Sequence, residues 1–101
     1  MKAAVAYNMA GINTSSLSKA LRLSNRQAEE IQTPMEIFGM ETSELGGVYD
    51  VYHRTKDFSR YVHENIFNMS KILTRKQLSK YEQLLKITIK NRNLIITSDT
   101  F

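Results

Sequence analysis

The 101-residue sequence contains no cysteine, one proline and four glycines. The absence of cysteine excludes disulfides, thiolate zinc sites and cysteine nucleophiles. It does not choose a compartment, since proteins of oxidising compartments can also lack cysteine. One proline and few glycines leave few places where a helix must break, which favours an all-helical chain. No stretch reaches the ~18 apolar residues that a membrane-spanning helix requires. Residues 1–13 carry one lysine and a short apolar run interrupted by Tyr7 and Asn8, too short for the hydrophobic region of a secretory signal. Glycine-rich phosphate loops, HExxH pairs and nucleophile–base patterns are also missing, and Gly11, Gly39, Gly46 and Gly47 have the spacing of chain breakers. The two histidines, His53 and His63, lie ten residues apart on one predicted helix. They point about 80° apart, so they cannot share a metal within one chain. Asp50 and Asp57 flank His53 at i−3 and i+4, the pattern of a solvated ion-pair face. The chain therefore reads as non-enzymatic, with no catalytic residue, metal or cofactor.

A hydrophobic fraction of 42% and a charged fraction of 24% are ordinary for a soluble globular domain. The length suits one domain with a small core. The net charge of +4 is modest for a dedicated nucleic-acid binder, but its distribution is uneven. Residues 27–50 hold six acids (Glu29, Glu30, Glu36, Glu41, Glu44, Asp50) and no Lys or Arg. Residues 71–92 hold seven bases (Lys71, Arg75, Lys76, Lys80, Lys86, Lys90, Arg92) and one acid, Glu82. Two antiparallel helices with complementary solvated faces would explain this. A basic segment facing an acidic partner or nucleic acid, or head-to-tail self-association, are the alternatives.

The patterning predicts an N-terminal arm over 1–12, a helical domain over 13–94 and a tail over 95–101 without assigned structure. A first helix opens at Asn13 or Thr14, both good N-caps, and ends at Arg22 and Leu23. Ser24 and Gln27 then form a capping box, with Leu23 placed to staple onto Ala28 and with Glu29 and Glu30 in the first turn. Ala28, Ile31, Met35 and Phe38 follow helical spacing, and Pro34 predicts a kink or an end near Gln32. Gly39 and the pair Gly46 and Gly47 are the predicted breaks after it. The longest periodic run spans 48–73 (Val48, Val51, Tyr52, Thr55, Phe58, Tyr61, Val62, Ile66, Met69, Ile72, Leu73) and predicts the spine of a three- to four-helix antiparallel bundle. Thr74 and Gln77 repeat the capping box, with Leu73 before it and Leu78 after it. Leu78, Tyr81, Leu84, Leu85, Thr88 and Ile89 form the predicted buried face of the last helix, with Ile87 on the opposite side. Asn93 followed by Leu94 fits a left-handed C-cap.

A shift of 50 residues lays Leu23, Ser24 and Gln27 on Leu73, Thr74 and Gln77. Physically these are two helix starts of one type. The pair resembles the LTxxQ signature of the Spy/CpxP-like periplasmic helical proteins. A nearer likeness is to small uncharacterised helical proteins of gut bacteria, carried in order by Asn68, Met69, Leu73, Thr74, Gln77, Tyr81, Leu84, Leu85, Thr88, Asn91 and Arg92. The likeness is loose over 13–94 and good over 66–94. Asn93 stands where that pattern has glycine, Ser24 where threonine is common, and Pro34 falls inside a helix. The resemblance implies a hairpin-like helical scaffold, a dimeric cradle, a periplasmic or cell-envelope location, and chaperone-like client binding or stress sensing. A chain whose native start is Met1 would instead be expected in the cytoplasm.

The leading expectation is a non-enzymatic interaction module that contacts a protein partner or a second copy through Met35, Phe38, Met40, Tyr49 and Tyr52. One alternative is a nucleic-acid-binding module in helix-turn-helix form, pairing 48–72 with 75–92. Arg75, Lys76 and Lys80 would then meet phosphates, and Gln83, Lys86 and Lys90 would face outward to read bases. A structural homodimer is the other alternative.

Overall fold

The computed structural model describes residues 12–47, 51–92, 94, 96, 97 and 101. Among them the chain is all-α: α1 Thr14–Leu21, α2 Asn25–Glu30, α3 Gln32–Ser43, a 3-10 turn Glu44–Gly47, α4 Val51–Ser70 and α5 Arg75–Asn91. Helices α2 and α3 are two parts of one broken rod, so among the described residues the five α-helices make four rods. Helix α3 packs chiefly on α4, α4 also packs on α5, and α1 bridges α2 and α5.

Helices α1, α2 and α5 start where Asn13, Ser24 and Thr74 supply side-chain caps, whereas α3 follows Ile31 with no side-chain cap. The Asn13 side-chain oxygen accepts from the N–H groups of Ser15 (2.9 Å) and Ser16 (3.1 Å), satisfying two of the donors that a helix start leaves open. The end of α1 is a Schellman turn in which the Leu23 N–H donates to Ser18 O (3.0 Å). That turn puts Arg22 in the left-handed region, φ 55 and ψ 52, where glycine is the usual occupant. Helix α5 ends similarly, the Leu94 N–H reaching Ile89 O (3.0 Å) with both side chains buried. Asn93 lies outside the described residues.

The rod of α2 and α3 breaks at the buried Ile31, one residue before Gln32. Pro34 is then the third residue of α3, among the N–H positions that lack an intrahelical partner in any case. Its missing donor therefore costs no helix bond, and the Met35 N–H still reaches Ile31 O (3.0 Å). Gly39 does not break the helix as its sequence position suggested. It sits inside α3 on the buried face, where the lack of a side chain leaves room for the neighbouring element. The spine also differs from its predicted bounds. It ends at Ser70, and residues 71–73 turn tightly, with the N–H groups of Ile72 and Leu73 both donating to Met69 O (3.0 and 2.9 Å). Tyr52 is exposed and Thr55 half-buried, and among the described side chains of the periodic stripe the first buried one is Phe58. Residues 48–50 and the arm before Ile12 lie outside the described residues.

The core joins Leu17 and Leu21 of α1, Ile31, Met35 and Phe38 from the broken rod, Leu45 of the turn, Phe58, Val62 and Met69 of α4, and Tyr81, Leu85 and Ile89 of α5. One polar knot runs through it. Tyr81 donates its hydroxyl proton to Asn65 Oδ1, and Asn65 Nδ2 donates to Pro34 O (3.5 Å). Tyr81 Oη also lies 3.5 Å from Met35 Sδ. Burial pushes the Tyr81 phenol well above its usual range, against the opposing pull of the Asn65 hydrogen bond, so it stays a neutral donor. The tail is not free of the bundle: Ile96 packs against the core, and the Thr97 N–H donates to the buried Ser59 Oγ (2.9 Å).

Arg22→Gly is expected to stabilise the fold by about 1 kcal/mol, because glycine occupies the left-handed region without a Cβ clash. Urea denaturation would show a higher midpoint at unchanged slope. An unchanged midpoint would mean that the arginine side chain offsets the strain.

Candidate functional site

The two repeated motifs meet. Each is a complete capping box: the Gln27 N–H donates to Ser24 Oγ (3.1 Å) and the Ser24 N–H to Gln27 Oε1 (3.0 Å). Likewise the Gln77 N–H donates to Thr74 Oγ1 (3.2 Å) and the Thr74 N–H to Gln77 Oε1 (2.9 Å). The two carboxamides then pair with each other. Gln27 Nε2 donates to Gln77 Oε1 (2.8 Å), and Gln77 Nε2 donates to Gln27 Oε1 (3.2 Å). The second proton of Gln27 Nε2 goes to Ile72 O (3.1 Å), and that of Gln77 Nε2 to Leu21 O (3.3 Å) and Arg22 O (3.5 Å). Ile72 and Arg22 are themselves 50 residues apart, so the junction has an approximate two-fold relation. A carboxamide has two donors and two acceptor sites, and in both glutamines all four are used. Each glutamine thus caps its own helix start and ties down the chain at the end of another helix. The motif residues Leu23, Ser24, Gln27, Leu73, Thr74 and Gln77 form a structural joint.

The candidate partner face does not hold together as a unit. Met35 and Phe38 are buried in the core, because they share the inward stripe of α3 with Thr42. Met40 (64% exposed) and Tyr52 (66%) remain on the surface, and Tyr49 lies outside the described residues. What the sequence reading missed is Ile37, 45% exposed beside Met40. At 100° per residue these two centre the outward face of α3, with Glu36 and Glu41 on its flanks. The signal was present, since Ile37 falls between the core positions Met35 and Phe38. Phe67, 59% exposed next to the half-buried Ile66, is the same case on α4. The Lys71 ammonium covers its ring at 4.6 Å from the centroid.

The candidate anionic-partner contacts do share a surface. Arg75, Lys76, Lys80, Lys86 and Lys90 are all exposed on α5 and spread over about 140° of its circumference. Ile87, 54% exposed, stands among them. Lys76 and Lys80 also line a cleft beside the glutamine joint together with Arg22. Lys86 lies over the Phe101 ring at 5.1 Å. Among the described residues no ion pair joins the acids of 29–44 to these bases; the ion pairs found there, Arg26 with Glu30 and Arg60 with Asp57, are local to one helix. The complementary charges of the two segments therefore stay on solvated faces and, among the described residues, are not paired with each other. The reason is orientation. Helices α3 and α5 turn their buried faces toward each other at Met35 and Tyr81, so their charged faces point apart.

The acidic side is tight enough to perturb one group. Burial, with the Glu64 carboxylate next and the Glu44 carboxylate adding less, raises the Glu41 carboxyl above its ordinary value against the pull of the Arg60 guanidinium. His53 and His63 are both exposed on α4. Among the described residues no three His, Cys, Asp or Glu side chains group to hold a metal ion, and no helix is long and apolar enough to cross a membrane.

Compared with protein-family models, curated proteins and solved structures, the chain matches none of them.

Two outcomes are expected from this geometry. Gln27→Ala and Gln77→Ala should each destabilise by about 1–2 kcal/mol, and the double variant should cost clearly less than their sum, because each removes the other's partner. Gln27→Glu keeps the cap acceptor but loses both Nε2 donors, so it should be as damaging at neutral pH and recover in part once the acid is protonated. Additive losses in thermal melts would contradict a shared joint. Glu41→Gln removes a group whose folded-state pKa is raised. The stability this group contributes is present below its ordinary value of 4.5 and is lost as pH rises through the folded value. The variant should therefore match or exceed the parent protein by a few tenths of a kcal/mol at pH 7, with the gap closing toward pH ~4. A gap that widens on acidification would reverse the assignment.

Proposed function

We propose that this chain is a non-enzymatic helical interaction module that binds protein partners through the outward faces of its helices, in the chaperone-like manner its LTxxQ-type motifs imply by resemblance. One observation carries the reading. Large apolar side chains stand at the centre of otherwise charged helix faces, Ile37 and Met40 on α3 and Ile87 on α5, while the bundle has a closed core of its own. An apolar anchor inside a charged rim is the anatomy of a contact surface. The glutamine joint supports the reading as a scaffold feature, since it fixes the angles at which these faces are presented.

A nucleic-acid reading has its own support in the exposed bases of α5, with Gln83 exposed among them. One set of measurements separates the two. Stoichiometric amounts of the protein should lower light scattering from a chemically unfolded test protein, and Ile37→Ser with Met40→Ser should remove most of that effect. Suppression no greater than that of an inert protein, combined with salt-sensitive binding of a labelled oligonucleotide that is lost in Lys76→Glu with Lys80→Glu, would favour the nucleic-acid reading.

A further inference from the structure

The two charged faces of this bundle are complementary in sign and alike in design. On α3 the exposed Ile37 and Met40 sit between Glu36 and Glu41, with Glu44 following in the next turn. On α5 the exposed Ile87 sits among Lys80, Lys86 and Lys90, with Lys76 about three turns before it. Neither face satisfies the other within one molecule. Their helices meet through their buried sides, where Met35 Sδ lies 3.5 Å from Tyr81 Oη, and among the described residues no ion pair crosses from one segment to the other. The faces therefore point away from each other across the core.

From this geometry we infer that the occupant of each face is a second copy of the same chain, joined head to tail, with the acidic α3 face of one molecule against the basic α5 face of the next. The inference rests on the interaction-module reading and names the partner. The charge complementarity supplies orientation, because α3 against α3 or α5 against α5 brings like charges together. The apolar residues at the centre of each face, Ile37 and Met40 against Ile87, supply the desolvated contact. A contact of this kind is heterologous. It leaves one α3 face and one α5 face free at every step, so growth is open and not a closed two-fold dimer. One helix face against another is a small interface, so association is weak and appears only at high protein concentration.

Sedimentation equilibrium on the full chain tests this. In ~20 mM salt the weight-average mass should climb with concentration to about twice the monomer value or beyond without a plateau at the dimer, and in ~0.5 M salt it should return to the monomer value as screening shortens to a few ångström. Glu36→Lys with Glu44→Lys should remain monomeric, as should Lys80→Glu with Lys90→Glu. These positions are all exposed, so circular dichroism should be unchanged. Mixing the two double variants should restore association, since each then carries the face the other lost. A parent protein that stays monomeric at low salt, a discrete dimer indifferent to both double variants, or a mixture that fails to associate would overturn the inference. The scattering assay on the same samples keeps the two readings apart. A monomeric protein that still suppresses aggregation through Ile37 and Met40 sinks self-association and leaves the interaction module standing.

Discussion

The paired carboxamides of Gln27 and Gln77 are the constraint on which the rest of this bundle depends. A capping box alone is a local device, indifferent to whether its third residue is glutamate or glutamine. Here the third residue must be glutamine, because its Nε2 carries the bonds that leave the helix. The joint collects two helix starts and the chain at two helix ends at one point, and it satisfies carbonyls that a helix end otherwise leaves to water. With that point fixed, α4 must leave in one direction and α5 return in another, and the rod of α2 and α3 is aimed along the spine.

Away from the joint, the core organises around Tyr81. Its hydroxyl faces Asn65 of α4 and Met35 of α3, so one phenol ties its own helix to two others. Burial keeps the phenol protonated, and a buried polar group held by a partner specifies one arrangement of neighbours where an apolar contact would tolerate several. This knot also decides which surfaces reach solvent. Because α3 and α5 meet there through their inner faces, the acids of one and the bases of the other are separated by the width of the core.

That separation sets the character of the surface. A chain with net charge +4 would be unremarkable if its charges were interspersed. Segregation turns it into a body with a basic side and an acidic side, each centred on exposed apolar residues. Met40 and Ile37 on one side, and Ile87 on the other, lie outside the closed core, and the proposed contact with another surface rests on that exposure.

The sequence by itself determined the helices, the caps and the inward stripe of α5. These depend on local hydrogen bonding and on a 3.6-residue period, both of which are written along the chain. Ser24 with Gln27, Thr74 with Gln77, and Tyr81, Leu85 and Ile89 were legible for that reason. So was the break near Gln32, although Pro34 turned out to sit harmlessly in a first turn. Gly39 misled, because a buried glycine and a helix-breaking glycine look alike in sequence. Only the tertiary structure decided that Met35 and Phe38 face inward while Ile37 and Met40 face out, since an apolar stripe two residues too wide does not say which edge is covered. It alone brought the two glutamines together across 50 residues and set the charged segments on opposite sides. Those outcomes depend on which inner faces meet, and that is a property of packing, with no trace in local spacing.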